Sequence, residues 1–295
     1  MKKRRGEGET RGDGDKPLLR VSVSKRLRVP KIITLLTDFG NADYFVGALK
    51  GAILSVNPTA SIVDITHAIP AYDVEAAAFT LLAAYSAFPE GTIHVAVVDP
   101  GVGSARQGIL INTQGHYFIG PDNGTFSYVC DRADAATVEI FHLNNVRYFR
   151  EPVSPTFHGR DVFAPVAAAV SSGLPPDKLG TRIQDVVRLP SITPDASRDG
   201  KIKGRIIHID RFGNCVTNIT PAELTASMIA DGALVRIKGK TVKSFRNYFA
   251  EDSGKGDKLF ATWGSAGFLE IAVANDSAAK LLKAKRGDVV MVSRQ

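Results

Sequence analysis

The sequence predicts an α/β protein in which a doubly wound, mostly parallel sheet domain is followed by a smaller β-barrel-like domain. Three observations carry this prediction. Apolar, β-branched runs alternate with stretches of helical spacing across residues 31–99, the β-α-β-α-β order of a parallel sheet with helices on both faces. A polar, aperiodic stretch with two prolines, RIQDVVRLPSITPDASRDGK, interrupts the chain at residues 182–201. Beyond it, short strands separated by turn residues predominate. The expected parts are a disordered basic tail at residues 1–30, an α/β domain at 31–190 and a β-barrel-like domain at 200–295.

KIITLLT opens the sheet as a run buried on both faces and stops at Asp38-Phe39-Gly40. Tyr44, Val46, Leu49 and Ile53 recur at helical spacing until Asn57-Pro58 ends the helix. SIVDITH at residues 61–67 is the second strand, and Asp73 is a suitable N-cap for the helix VEAAAFTLLAAYSAF. Pro89-Glu90-Gly91 closes that helix, and TIHVAVVD is the third strand. GILINT and HYFIG form a hairpin about Gln114-Gly115. Pro121-Asp122-Asn123-Gly124 opens a short helix at residues 125–129, VEIFHL is a further strand, and an Ala/Val-rich buried helix spans 160–172. After the linker, GRIIHID, CVTNI, ALVRIKG, KTVKSF, FLEIAVA and DVVMVS read as strands, with helical pieces at 222–228 and 277–283.

Charge narrows the function classes. The chain carries +7, and residues 1–31 alone hold eleven Lys/Arg against four Asp/Glu, so the remainder sums to zero. A basic arm can bind phosphate without sequence preference, but the neutral body offers no basic face, and nucleic acid is not expected as a partner. The tail lacks an apolar signal-peptide core, and its acids do not suit a transit peptide. No run approaches the ~18 apolar residues of a membrane span. Cys130 and Cys215, without C-x-x-C spacing, indicate neither a disulfide framework nor a zinc site, so a reducing cytoplasm is the expected compartment.

The most informative stretch is VVDPGVGSAR at residues 97–106. Pro100 lacks an N–H and must end the strand, while Gly101 and Gly103 allow close backbone approach. Asp99 stands at the strand's carboxyl end, where ligands bind in open α/β sheets, and Arg106 follows seven residues later. Asp38 ends the first strand; it either caps a turn or accepts hydrogen bonds from a ribose diol. His158, between Phe157 and Gly159 ahead of a buried helix, has the residue type for proton transfer near neutral pH. Asp122-Asn123-Gly124 reads as turn chemistry, and His67, His94, His116, His142 and His208 read as structural. No H-E-x-x-H groups the histidines, so no metal is expected. Neither a P-loop nor a G-x-G-x-x-G after the first strand is present, which leaves a nucleoside without phosphates as the ligand class.

Taken in order, TDFGNADYFVGALKGAI, VDITHAIPAYDVEAAA, FPEGTIHVAVVDPGVGSAR, FIGPDNG, PTFHGRDVFAPVAA, DRFGNCVTNI and GSAGFLEIA resemble one family. It is that of the S-adenosylmethionine (SAM) hydroxide adenosyltransferases, adenosine-forming SAM hydrolases related to fluorinating and chlorinating enzymes. The resemblance covers about residues 31–294. It implies a homotrimer with SAM, the substrate, bound between subunits and no cofactor. It also implies attack of water-derived hydroxide on the ribose C5′, which releases methionine and leaves adenosine. By the family's pattern Asp99, Arg106 and His158 are the catalytic trio. Asp38 would hold the ribose hydroxyls, and Tyr72 and Phe157 would pack on the sugar and sulfonium. Asp210 and Ser265 would meet the methionine amino and carboxylate groups; Phe212, Asn214 and the backbone around Val273 would line the adenine.

The chemistry agrees with that pattern. A sulfonium departs as a neutral thioether without a general acid, so the task is to present a desolvated oxygen nucleophile in line with C5′–S. Arg106 can stabilise hydroxide character, while His158 and Asp99 position water and accept its proton. An arginine partner weakens Asp99 as a base and favours it as orienter. A SAM-dependent halogenase is the alternative, disfavoured because Asp99 puts a carboxylate beside the anion site, where the resemblance gives fluorinating relatives a neutral tyrosine. A non-catalytic nucleoside-binding protein is the other alternative.

Overall fold

The computed structural model describes residues 31–197, 200–251 and 258–294; the basic tail expected at 1–30 lies outside them. The first sheet is built from β1 (Ile32–Thr37), β2 (Ser61–Thr66), β3 (Ile93–Val97), β4 (Gly108–Thr113), β5 (His116–Pro121), β6 (Glu139–Leu143) and β7 (Gly180–Ile183). Its order is β2-β1-β3-β5-β4-β6-β7. The first four in that order are mutually parallel, and the last three pair antiparallel with their neighbours, so five of the seven run the same way. Helices α1 (Phe45–Val56), α2 (Val74–Ala84), α3 (Ser127–Arg132) and α4 (Ala164–Ser171) cover both faces.

Side-chain alternation explains the double winding. Ile93, Val95 and Val97 of β3 join Leu49 and Ile53 of α1 and Val166 and Val170 of α4 in one core. Ala96 and Val98 point the other way, into a core with Ala77, Phe79 and Leu81 of α2 and Tyr128 of α3. That second core continues into Ile207, Val216 and Phe268 of the C-terminal part, where Phe79 stacks on His208 with ring centroids 4.8 Å apart. Asp73 caps α2 through the Ala76 N–H at 2.9 Å and holds Arg286 of the C-terminal part at 2.7 Å.

The C-terminal strands are β8 (Asp195–Ala196), β9 (Ile202–Ile209), β10 (Cys215–Thr217), β11 (Leu234–Ile237), β12 (Lys240–Val242), β13 (Ser244–Phe245), β14 (Leu259–Trp263), β15 (Leu269–Val273) and β16 (Val289–Ser293). They run in the order β12-β11-β16-β9-β10-β15-β14-β13, with β8 added beside β9. The end strands β12 and β13 are separated only by Lys243 in the chain, so the sheet curls into a nearly closed, barrel-like form. Helices α5 (Ala226–Ala230) and α6 (Ala278–Leu282) flank it.

Three local readings change. The helix expected at 160–172 begins instead as a π-turn, Gly159–Phe163, before α4. The piece expected at 222–228 starts later, because Glu223 ties its carboxylate to Thr220 in a separate turn and Thr225 becomes the cap of α5. Strands β7, β8 and β14 add to those expected, β8 within the expected linker; each is two to five residues long, too short to show an alternation of its own. Among the described residues no helix is long and apolar enough to cross a membrane.

His94 is fully buried, with Nδ1 2.8 Å from Thr34 Oγ1 and Nε2 3.2 Å from His116 Nδ1. Burial, and then the neighbouring His116, push its pKa down to about 3. The unfolded chain takes up this proton near pH 6.5 and the folded chain does not, so His94's contribution is full above that pH and lost as pH falls toward 3. Unfolding free energy from urea titrations should therefore drop between pH 6.5 and 4.5 by up to about 1.4 kcal/mol per pH unit. His94→Gln should make the dependence shallower.

Candidate active site

The register of β1 with β3 pairs Thr37 with Val97, which sets Asp38 and the Val98-Asp99 pair side by side at the carboxyl edge of the sheet. Beyond Asp99 the chain turns back on itself: Val102 N–H donates to Asp99 O at 3.2 Å and Ser104 N–H to Gly101 O at 3.1 Å. The return brings Arg106 onto Asp99, with Nε donating to Oδ1 at 2.9 Å and Nη2 donating to Oδ2. Both side chains are nearly buried, 6% exposed for Asp99 and 11% for Arg106. Asn123 Nδ2 donates to Val98 O at 2.8 Å and so anchors the residue before Asp99. Its side chain also makes the turn expected of it, accepting from Thr125 N–H at 3.2 Å.

His158 precedes the π-turn and enters the same cluster. Arg106 Nη2 donates to His158 Nδ1 at 3.0 Å. A guanidinium has no acceptor, so Nδ1 must be unprotonated, and the neutral ring carries its proton on Nε2. Burial, and then Arg106, hold the imidazole pKa below 6.5 against the opposing fields of Asp99 and Asp161. A π-turn advances the chain more slowly around its axis than an α-turn, and Phe163, five residues after His158, lies with its ring 5.2 Å from the Arg106 guanidinium. Fully buried Asp161 binds Arg160 at 2.7 Å and Ser154 N–H at 2.9 Å, which fixes the segment leading into the turn.

Asp99 and His158 border a cavity of about 280 Å³, just below the ~300–1,000 Å³ typical of small-molecule sites. Asp38, Tyr72, Asp99, Phe157 and His158 line it, together with Phe39, Phe45, Val97 and Val102. Phe157 meets Phe39 and Phe45 edge-on, at 5.8 and 5.4 Å between centroids, giving an apolar wall opposite the charged loop. Asp38 Oδ2 accepts the Tyr72 N–H at 2.9 Å. Tyr72 adopts φ +66°, an unusual conformation for a bulky residue, and its ring is 73% exposed.

The other expected site residues lie elsewhere. Asp210, Phe212 and Asn214 occupy the turn between β9 and β10, Val273 ends β15, and Ser265 sits on the turn joining β14 to β15. Asp210 Oδ1 accepts the N–H groups of Phe212 and Asn214 at 2.9 and 2.8 Å, and Oδ2 accepts Asn214 Nδ2 at 2.9 Å. Phe212 is 77% exposed. Glu270, which sequence reasoning passed over, has its carboxyl pushed up by burial and then by the Asp210 charge. None of these residues lines the cavity, so one chain carries two separate groups of expected site residues. Among the described residues no group of three or more His, Cys, Asp or Glu gathers as metal ligands.

The loop tolerates little added bulk. Gly103 has φ +79°, and a Cβ there would collide with the Pro155 carbonyl. Gly103→Ala should push the loop from the segment bearing His158 and lower turnover by at least about tenfold, the effect of losing roughly 1.4 kcal/mol of transition-state stabilisation. Steady-state kinetics beside a thermal melt checks this.

Known proteins resemble both halves of the chain. The description "SAM hydroxide adenosyltransferase N-terminal domain" matches residues 33–180, and its C-terminal counterpart matches 204–291. A protein of Methanocaldococcus jannaschii named (R)-S-adenosyl-L-methionine hydrolase is 39% identical over 263 residues, 85% of this chain and 91% of its own. A crystal structure of an uncharacterized conserved protein from Thermotoga maritima superposes with a TM-score of 0.79 at 36% identity, covering 89% of this chain and 100% of the other. A relative named fluorinase, from Nocardia brasiliensis, is more distant at 28% identity over 290 residues, 88% of this chain and 96% of its own. Both halves of the chain thus match in order, and the chain belongs to the SAM hydroxide adenosyltransferase family.

Proposed function

We propose that the protein hydrolyses S-adenosyl-L-methionine to adenosine and L-methionine. The observation that carries this is a cavity lined together by Asp38, Asp99 and His158, the last two both bonded to Arg106. Asp38 accepts the ribose hydroxyls, with Tyr72 and Phe157 against the sugar and sulfonium. A hydroxide oxygen forms its bond to C5′ as the C5′–S bond breaks, and the bonding pair returns to sulfur to give the neutral thioether of methionine. Attack by hydroxide releases no further proton; the proton lost in making it from water passes to solvent.

Both Asp99 oxygens and His158 Nδ1 are already engaged by Arg106. Neither residue is an idle base. Arg106 supplies the positive charge that favours hydroxide, Asp99 fixes the plane of the guanidinium, and the His158 Nε2–H donates to the attacking oxygen. Relatives named SAM hydrolases are more similar to this chain than those named fluorinases, which favours water over the halogenase alternative. Relatives are named for the (R) sulfonium epimer, and we carry that preference over to this chain.

SAM should yield adenosine without added halide, and Asp99→Ala or His158→Ala should lower turnover by about a hundredfold or more. Chromatography of the products, with the two sulfonium epimers supplied separately, checks both the reaction and the epimer. Protonating His158 would displace its bond from Arg106, so its acid limb in kcat/KM should lie below pH 6.5; an inflection from His158 above 6.5 contradicts this role.

The two groups of site residues complete one another in a homotrimer with SAM between subunits. Exposed Tyr72 and Phe212 are the large rings that such an interface would cover. Asp210 and Ser265 from one subunit would take the methionine end and Phe212, Asn214 and the Val273 backbone the adenine, against the cavity of the next. Mixing Asp99→Ala with Asp210→Ala subunits should then restore part of the activity that each lacks alone, whereas sites contained within one chain would show no recovery. The buried free thiols Cys130 and Cys215 favour a reducing cytoplasm as the compartment.

A further inference from the structure

The Asp38 loop is held from behind by a line of polar groups that the proposed reaction does not use. Thr37, fully buried, ends β1, and His67, 4% exposed, follows β2. Thr37 Oγ1 accepts the Phe39 N–H at 3.2 Å and meets His67 Nδ1 at 2.8 Å. The carboxylate of Asp64 facing Nε2 favours the ring proton there, so the Thr37 O–H is assigned as donor to Nδ1. Nε2 faces Asp64 Oδ1 at 3.2 Å, a polar contact without hydrogen-bond alignment, and Lys50 Nζ donates to Asp64 Oδ2 at 2.6 Å. Burial opposes ionisation of Asp64, but Lys50 and His67 outweigh it and hold the carboxyl below its ordinary value. The His67 carbonyl also accepts the Gly40 N–H at 2.8 Å, so both flanks of Asp38 are tied to one histidine.

We propose that Thr37 and His67, backed by Asp64 and Lys50, are positioning residues that fix the backbone around Asp38 and present its carboxylate to the ribose diol in one orientation. The proposal rests on Asp38 as the ribose ligand. Diol contacts persist from bound substrate to transition state, so loosening them weakens binding and leaves the chemical step unchanged.

Thr37→Val removes the hydroxyl at nearly constant shape, and Thr37→Ser keeps it. The valine variant should raise KM for SAM by about tenfold, hold kcat within about twofold, and weaken adenosine binding in calorimetry by a factor similar to the KM change. The serine variant should stay near wild type in all three. Unchanged KM and adenosine affinity in Thr37→Val, failure of serine to rescue, or a fall in kcat matching the rise in KM overturns the proposal. Asp38→Ala separates the two levels. If it keeps adenosine affinity, the ribose role of Asp38 falls and the proposal with it; if it loses affinity while Thr37→Val does not, only the positioning proposal falls. Should Thr37→Val not fold, Asp64→Asn at the exposed end of the line decides: raised KM at constant kcat supports the proposal, and unchanged KM overturns it.

Discussion

The nearly buried ion pair between Asp99 and Arg106 is the contact around which the candidate site is assembled. Two charges withdrawn from water hold together only when geometry and further hydrogen bonds offset their desolvation, and losing one partner of such a pair costs about 3–5 kcal/mol. The surrounding structure meets that demand. β3 delivers Asp99 rigidly to the sheet edge, and a glycine-containing turn returns Arg106 in the right plane. The Gln107 carbonyl accepts Nη1 at 3.3 Å, while His158 and the Phe163 ring fill the remaining sides. The pair also settles the electrostatics of the cavity. An arginine that is shared rather than neutralised in isolation can still attract a small oxyanion in the proposed mechanism.

Much of this was legible in the chain because it depends on local chemistry. Pro100 must end β3 and Asp73 must cap α2, each from one residue's stereochemistry, whereas the adjacency of Asp38 and Asp99 needs the pairing of β1 with β3. What the chain concealed depends on distant partners. Asn123 looks like a turn residue and is one, yet its other amide atom reaches back to Val98. The π-turn leaves no composition signal, since Gly159–Phe163 carries ordinary helix-compatible residues, and only the fit of Phe163 against Arg106 gives it a purpose. Glu270 alternates innocently along β15, and nothing in its neighbours announces that Asp210 stands close.

The sequence already favours Asp99 as orienter beside Arg106. The hydrogen bonds of Asp99 and His158 to one guanidinium support extending that reading to His158, and the proposed mechanism stabilises hydroxide without assigning either residue as the proton's acceptor. The separation of the Asp210 group from the cavity has the same lesson at larger scale: residues that the sequence resemblance assigns to one binding site lie in two groups on one chain, which the proposed trimer would join.

In the proposed reaction a solvent oxygen attacks the ribose C5′. Reaction in water enriched in the heavy oxygen isotope, followed by mass spectrometry of both products, tests it most directly. The mechanism predicts label in the 5′-hydroxyl of adenosine and none in methionine. Unlabelled adenosine, or methylthioadenosine with a four-carbon amino-acid fragment in place of adenosine and methionine, would contradict it.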